Sequence, residues 1–235
     1  MLELTAENAA EILQARGWLA GALSAQVSEL SGGVSNAVFL IETGCERYVV
    51  KQARGRLRVQ ADWQCSIERI WREVDMLRAC GELLASDGDT NPVVPRVLWT
   101  DRELYAYAMS AADPTSTTWK SDLLVGRVKS IYFHTAGSIL SKLHAKSWHN
   151  RLIESEFRDR TYFAQLRLEP YYLVAAANYP RLANQLQTLV DRTWQERHAL
   201  VHGDFSPKNL LVSAGRMMLI DFEVGHYGDP AFDLG

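Results

Sequence analysis

The sequence predicts a bilobal α+β fold, and three observations lead there. Short apolar runs separated by turn formers fill the first 112 residues, helical periodicity takes over after Pro114, and strand-like runs return from Leu200. The predicted parts are residues 1–112 and 113–235, joined near Ser110–Pro114. A cleft between two such parts is a natural place for a ligand.

The elements follow in order. Thr5 can cap a helix whose apolar residues Ala9, Ile12, Leu13 and Leu19 recur at helical spacing and which ends near Gly17–Gly21. Val27–Leu30, a Ser31-Gly32-Gly33 turn, Ala37–Glu42, a Thr43-Gly44 turn and Arg47–Lys51 read as a meander of three antiparallel strands. Ser66–Leu84 is an amphipathic helix, with Ile67, Ile70, Trp71, Val74, Leu77 and Leu84 on one side, and it stops in the turn-rich run Ser86–Pro92. Val97–Thr100 and Leu104–Met109 form a hairpin turning through Asp101 and Arg102. Beyond Pro114, helices are predicted over Val128–His144, Glu156–Ala177 and Arg181–Glu196, and strands over Leu200-Val201, Leu210–Val212 and Met217–Ile220.

Composition narrows the function classes. The 235 residues are 47% hydrophobic and 23% charged, ordinary for a soluble globular chain. A net charge of −3 lacks the basic excess of a nucleic-acid-coating surface, although a nucleotide needs only a few placed cations. Cys45, Cys65 and Cys80 form no C-x-x-C pair and read as reduced thiols. The acidic N-terminal stretch with Glu3, Glu7 and Glu11 is no signal peptide, and no apolar run approaches the ~20 residues that span a bilayer. A cytoplasmic protein without a membrane partner is expected.

The chemistry concentrates in Val201-His202-Gly203-Asp204-Phe205-Ser206-Pro207-Lys208-Asn209-Leu210-Leu211-Val212, followed by Leu219-Ile220-Asp221-Phe222-Glu223. A polar loop between two apolar strands carries Asp204 and Asn209 five residues apart, and a third strand ends at Asp221. Oxygen-bearing side chains converging at strand ends suit hard Mg²⁺, with phosphate and water completing its octahedron. Tyr48-Val49-Val50-Lys51 puts a lysine at the end of a β-branched run, ordinarily a solvated strand end, and Leu30-Ser31-Gly32-Gly33-Val34-Ser35-Asn36 puts a Gly-Gly turn between strands, where backbone N–H groups can line an anion site.

The pattern H-x-D-x-x-x-x-N followed by hydrophobic-D-F resembles the catalytic loop and metal motif of protein-kinase-like enzymes. In the form H-G-D-F-S-P-K-N with D-F-E, it is similar to the small-molecule branch: the aminoglycoside phosphotransferase and choline kinase-like family, with features of methylthioribose kinase. That resemblance implies a protein-kinase-like fold and an ATP- and Mg²⁺-dependent transfer of the γ-phosphate to a hydroxyl of a small molecule. It makes Asp204 the base that accepts or orients the hydroxyl proton, and Asn209 and Asp221 the metal ligands. Lys51 would contact the ATP phosphates, with Glu73 as its helix partner and Glu68 as the alternative. Ser31, Gly32, Gly33, Ser35 and Asn36 would line the phosphates, and Met109 and its neighbours would meet adenine through backbone groups. Arg56 and Arg58, with Asp62-Trp63, resemble the stretch after the phosphate-binding lysine of methylthioribose kinases.

The resemblance also takes in the L-x-x-L-H end of Gly137–His144 and the G-D-P-x-x-D-L segment Gly228–Leu234, which makes His144, Asp229 and Asp233 structural. Relatives continue into further helices past that segment, so residues 113–235 are expected to be an incomplete catalytic part. The competing readings are a nucleotide-binding pseudokinase and a metal-assisted hydrolase using His202 and Asp204 with His226 downstream. The intact set Lys51, Asp204, Asn209 and Asp221 speaks against the first, and the lone histidine in the loop against the second. A protein kinase is disfavoured because no A-P-E segment follows Asp221.

Overall fold

A computed structural model of the chain describes residues 2–19, 25–30, 36–54, 66–85 and 92–235. It divides into two compact units, Met1–Val74 with Pro95–Ala112, and Asp75–Val94 with Asp113–Gly235.

The first unit is an antiparallel sheet covered by a short helix. Helix α1 (Ala9–Ala15) follows a reciprocal cap in which Asn8 Oδ1 accepts from the Thr5 N–H at 2.7 Å and Thr5 Oγ1 accepts from the Asn8 N–H at 3.3 Å. Strands β1 (Gln26–Glu29), β2 (Asn36–Glu42) and β3 (Arg47–Ala53) form the expected meander. Strands β4 (Val97–Asp101) and β5 (Ala106–Ser110) complete a five-stranded sheet in the order β1-β2-β3-β5-β4, with a register shift between Val97 and Trp99. The period of two sends Ala37, Phe39, Ile41, Tyr48 and Val50 to one face, where they bury against Leu4, Ala9 and Leu13. Gln52 is fully buried on that face: Oε1 accepts from the Leu4 N–H at 2.7 Å, and Nε2 donates to the carbonyls of Leu2 and Leu104. That satisfied amide ties the N-terminal segment to the sheet.

Helix α2 (Arg69–Leu84) starts three residues later than its periodicity suggests, after a turn in which the Arg69, Ile70 and Trp71 N–H groups donate to the carbonyls of Ser66, Ile67 and Glu68. Its residues to Val74 group with the first unit, and the rest with the second. Arg69 is fully buried, and donates to the Ser66 carbonyl at 3.0 Å, the Arg54 carbonyl at 3.2 Å and Asn36 Oδ1 at 3.4 Å.

The second unit begins its described C-terminal part with a two-residue strand β6 (Thr117–Thr118) and helix α3 (Trp119–Leu124), capped by Thr118, whose hydroxyl accepts from the Ser121 N–H. Neither was expected; both are too short to carry a period. Helix α4 (Ser130–Ser147) matches the expected helix and buries Tyr132, Ala136, Ile139, Leu140 and Leu143.

The single helix expected over Glu156–Ala177 does not form. Helix α5 (Arg151–Phe157) is capped by Asn150, and Asp159 then starts a new helical run by accepting from both the N–H and the hydroxyl of Thr161. That run comprises α6 (Thr161–Phe163), a wide-turned π segment (Ala164–Leu173) and α7 (Val174–Asn178). Pro170 sits inside the π segment and has no N–H to give an α-helical ladder. A 3₁₀ turn (Pro180–Leu182) leads into α8 (Ala183–Gln195), close to the expected Arg181–Glu196.

Strand β7 (Ala199–Val201) is wholly buried and pairs with β10 (His226–Gly228), while β8 (Leu210–Ser213) and β9 (Arg216–Leu219) form a hairpin that β6 extends. The hairpin turns through Ala214 and Gly215, both at positive φ (46° and 81°), the backbone a two-residue type I′ turn requires. Among the described residues no helix is long and apolar enough to cross a membrane.

Candidate active site

In the first unit the alternation that buries Tyr48 and Val50 on the α1 face turns Lys51 to the opposite face, toward α2. Lys51 is 6% exposed, and its Nζ lies 2.6 Å from Oε1 of Glu73, itself fully buried. Glu73 is therefore the partner. Glu68 precedes the helix and receives the hydroxyl of Tyr105, a hydrogen bond that raises the Tyr105 phenol above its usual range. Asn36 opens β2, is buried, and receives Arg69. Met109 lies in β5 opposite Val49 and Val97, one residue before the strand ends. Ser31, Gly32, Gly33 and Ser35 lie outside the described residues, as do Arg56, Arg58, Asp62, Trp63 and Cys65.

In the second unit the loop between β7 and β8 is held from behind. Asp233 accepts from the His202 N–H at 2.9 Å and the Gly203 N–H at 2.8 Å, and it also receives His144 Nε2 at 2.9 Å. Asp229 caps the last 3₁₀ turn by accepting from the Ala231 N–H. His202 is fully buried and uses both ring nitrogens on backbone: Nε2 donates to the Ile220 carbonyl at 3.1 Å, and Nδ1 accepts from the Asp204 N–H at 3.2 Å. Burial holds its pKa below the ordinary histidine value against the opposing pull of Asp233, Asp204 and Asp221, so the ring stays neutral. A histidine so engaged has no nitrogen left for a metal or a substrate. His226 is buried too, with Nδ1 on the Val224 carbonyl and its ring stacked 3.9 Å from that of Phe163.

Gly203 adopts φ +79°, and a Cβ there would stand 3.0 Å from the Val224 carbonyl oxygen, so the turn that presents Asp204 needs glycine. Asp204 itself is half-buried and receives three donors on one oxygen, Oδ2: Arg167 Nη2 at 2.7 Å, Lys208 Nζ at 2.9 Å and Asn209 Nδ2 at 2.9 Å. Asn209 Nδ2 also donates to the Asp204 carbonyl at 2.9 Å. Arg167 stands on the π segment, and no motif in the sequence marks it; an arginine in a helical run reads as a solvated face. Lys208 lies in the motif, but its spacing alone does not disclose that it folds back on Asp204.

The Ile220 N–H donates to the Asn209 carbonyl at 3.0 Å, so the end of β9 lies against Asn209 and delivers Asp221 beside it. Asp221 has φ +70°, an uncommon backbone for a residue with a Cβ, and the kind of local strain that gathers at functional sites. Among the described residues no group of three or more His, Cys, Asp or Glu could hold a metal on its own. The oxygen donors of Asn209 and Asp221 instead suit Mg²⁺, which takes one or two protein oxygens and completes its shell with phosphate and water.

Comparison with known proteins follows the same lines. A family model described as "Phosphotransferase enzyme family" matches residues 26–235. Methylthioribose kinases from Escherichia coli O45:K1 and Exiguobacterium sibiricum are 25% and 24% identical, over 89% and 98% of this chain. The chain spans less than two thirds of those relatives, 55% and 64% of their lengths. Among solved structures, a choline/ethanolamine kinase family protein from Mesorhizobium loti aligns with TM-score 0.64 and 21% identity, over 97% of this chain and 68% of that one. An aminoglycoside phosphotransferase in ternary complex with AMP-PNP and hygromycin B aligns with TM-score 0.57 and 15% identity, over 97% and 75%. These likenesses establish the α+β, protein-kinase-like fold of the small-molecule kinases. With nine tenths of its length matched, the chain belongs to the phosphotransferase enzyme family.

Proposed function

We propose that the protein transfers the γ-phosphate of ATP to a hydroxyl group of a small molecule, with Mg²⁺ as the metal. The observation that carries this reading is the grip on Asp204, whose Oδ2 is occupied by Arg167, Lys208 and Asn209. Three donors on one oxygen fix the carboxylate plane and leave Oδ1 for an acceptor hydroxyl. Asp204 then orients that hydroxyl and takes its proton as the oxygen bonds to phosphorus and the bond from phosphorus to the β-phosphate oxygen breaks, releasing ADP. With Nδ2 of Asn209 engaged on Asp204, its Oδ1 and the carboxylate of Asp221 are the oxygens that would hold the metal. The ion, when bound, supplies positive charge to the phosphate oxygens. Lys51, held by Glu73, contributes a fixed cation for the nucleotide phosphates.

The acceptor class rests on the relatives: proteins named as methylthioribose kinase, choline/ethanolamine kinase family protein and aminoglycoside phosphotransferase point to a sugar, amino alcohol or aminoglycoside. Cytoplasmic residence belongs to the same reading, since ATP is the donor and the thiols Cys45 and Cys80 are free.

Calorimetric titration with ATP, with and without Mg²⁺, tests the proposal. Magnesium-dependent binding that disappears in Asp221→Ala is the expected result. A folded protein that ignores Mg·ATP would instead be a scaffold without turnover.

A further inference from the structure

The turn from β4 to β5 carries a tyrosine where glycine is the usual choice. Asp101 builds the turn, its Oδ1 accepting from the N–H groups of Glu103 and Leu104 at 3.0 Å each. The chain then leaves through Tyr105 at φ +48°, a left-handed backbone that a bulky residue seldom adopts and that glycine takes freely. Strain of this kind persists where the surrounding contacts offset it.

The contacts of Tyr105 run to both elements that carry the buried ion pair of the first unit. Its carbonyl accepts at 3.0 Å from the N–H of Ala53, the last residue of β3 and two positions past Lys51. Its hydroxyl donates to Glu68, in the turn that opens α2. Its ring lies 5.9 Å from that of Trp71, two positions before Glu73. Arg102, from the same turn, places its guanidinium carbon over the Trp71 ring, 4.8 Å from the centroid, a cation–π contact.

Arg69 anchors the start of the helix from within, on Asn36 and the Arg54 carbonyl, and the partly exposed Trp71 is where the turn holds it from without. At about 3.6 residues per turn, Trp71 and Glu73 project nearly opposite ways, so a grip on Trp71 sets the rotation that aims Glu73.

We infer that Tyr105, with Arg102, is a positioning residue for the Lys51–Glu73 pair: it joins the strand of Lys51 to the start of the helix of Glu73, and so fixes the cation that meets the nucleotide phosphates. The role toward the nucleotide rests on the phosphotransferase reading, while the coupling of Tyr105 to Lys51 stands apart from it.

The experiment reads Lys51 directly. Tyr105→Gly removes the ring and the hydroxyl but suits the left-handed backbone, so the turn and the Ala53 bond survive. The full chain is acetylated with a limiting amine-reactive ester, and the rate at Lys51 is followed by peptide mass spectrometry. Thiol labelling of Cys80, buried farther along α2, monitors wholesale opening. Lys51 labelling should rise by at least about threefold in Tyr105→Gly, the loss of one such aromatic contact, with Cys80 as protected as before. Mg·ATP affinity should fall by a similar factor, and should not fall when the change is made in Lys51→Met/Glu73→Leu, where no pair is left to position. Unchanged Lys51 labelling, a rise matched at Cys80, or an equal fall in affinity in that background overturns the inference. Wild-type protein that fails to bind Mg·ATP strikes the phosphotransferase reading instead, and the labelling rates still decide whether Tyr105 sets the pair.

Discussion

The molecule holds two charged clusters built on opposite principles. In the first unit, Lys51 and Glu73 meet at 2.6 Å with side chains 8% and 1% exposed. In the second, Asp204 takes three donors, of which Lys208 is half open to solvent. The buried pair is set by a strand and a helix, elements whose geometry tolerates little adjustment, and removing either partner strands a charge in a medium that solvates it poorly. The Asp204 cluster is set by a loop, a π segment and a long flexible side chain. Of its three donors Lys208 is the exposed one, while Arg167 and Asn209 are largely buried. Under the proposed function, a fixed cation would suit the nucleotide phosphates, and a partly open carboxylate would suit a hydroxyl that must arrive and leave.

The largest effect should come from Asp204→Ala, which removes the proposed base. Loss of roughly 10²–10⁴ in turnover is expected for a positioned acid–base group, with Mg·ATP binding largely retained. Full activity in this variant would dissolve the contrast, since Asp204 would then be as structural as Glu73. Next comes Glu73→Ala, which leaves Lys51 buried without its carboxylate and should cost about 3–5 kcal/mol in urea unfolding. The double variant Lys51→Met/Glu73→Leu should recover most of that loss. Equal destabilisation of the single and double variants would show that packing, not charge, is what the pair contributes.

The smallest effect concerns pH. Burial lowers the pKa of His202 in the folded protein, so below about 6.5 the unfolded chain binds the extra proton first. Stability from this group is complete above that pH and declines as pH falls through the unfolded value toward the folded one. His202→Asn should flatten that acid limb of the stability profile by about one proton, whatever it does to the absolute stability. An unchanged slope would mean that the ring is not the neutral brace of the loop.

Much of this arrangement was legible before any coordinates. The strands of the first unit announce themselves by alternation and turn residues, and the loop carrying Asp204 and Asn209, with Asp221 at the next strand end, is marked by spacing. The choice between Glu73 and Glu68 was open, because it depends on where α2 starts. The turn over Ser66–Glu68 delays the helix and leaves Glu68 outside it. The helix expected over Glu156–Ala177 failed for a local reason: Asp159 makes a better cap than a helix interior, and Pro170 denies the run behind it a regular ladder. Strands β6 and β10 are two and three residues long, below the length at which any period can be read.

What the sequence determined by itself was the family, the strand meander of the first unit and the spacing that sets Asp204, Asn209 and Asp221 on neighbouring strand ends, because spacing along a chain encodes local geometry and short motifs. What only the tertiary structure decided was company. Arg167 lies 37 positions before Asp204 and Asp233 lies 29 after it, and no local rule links residues so far apart. Their meeting depends on how a π segment and a 3₁₀ turn pack around one loop, a property of the folded surface and not of any stretch of chain.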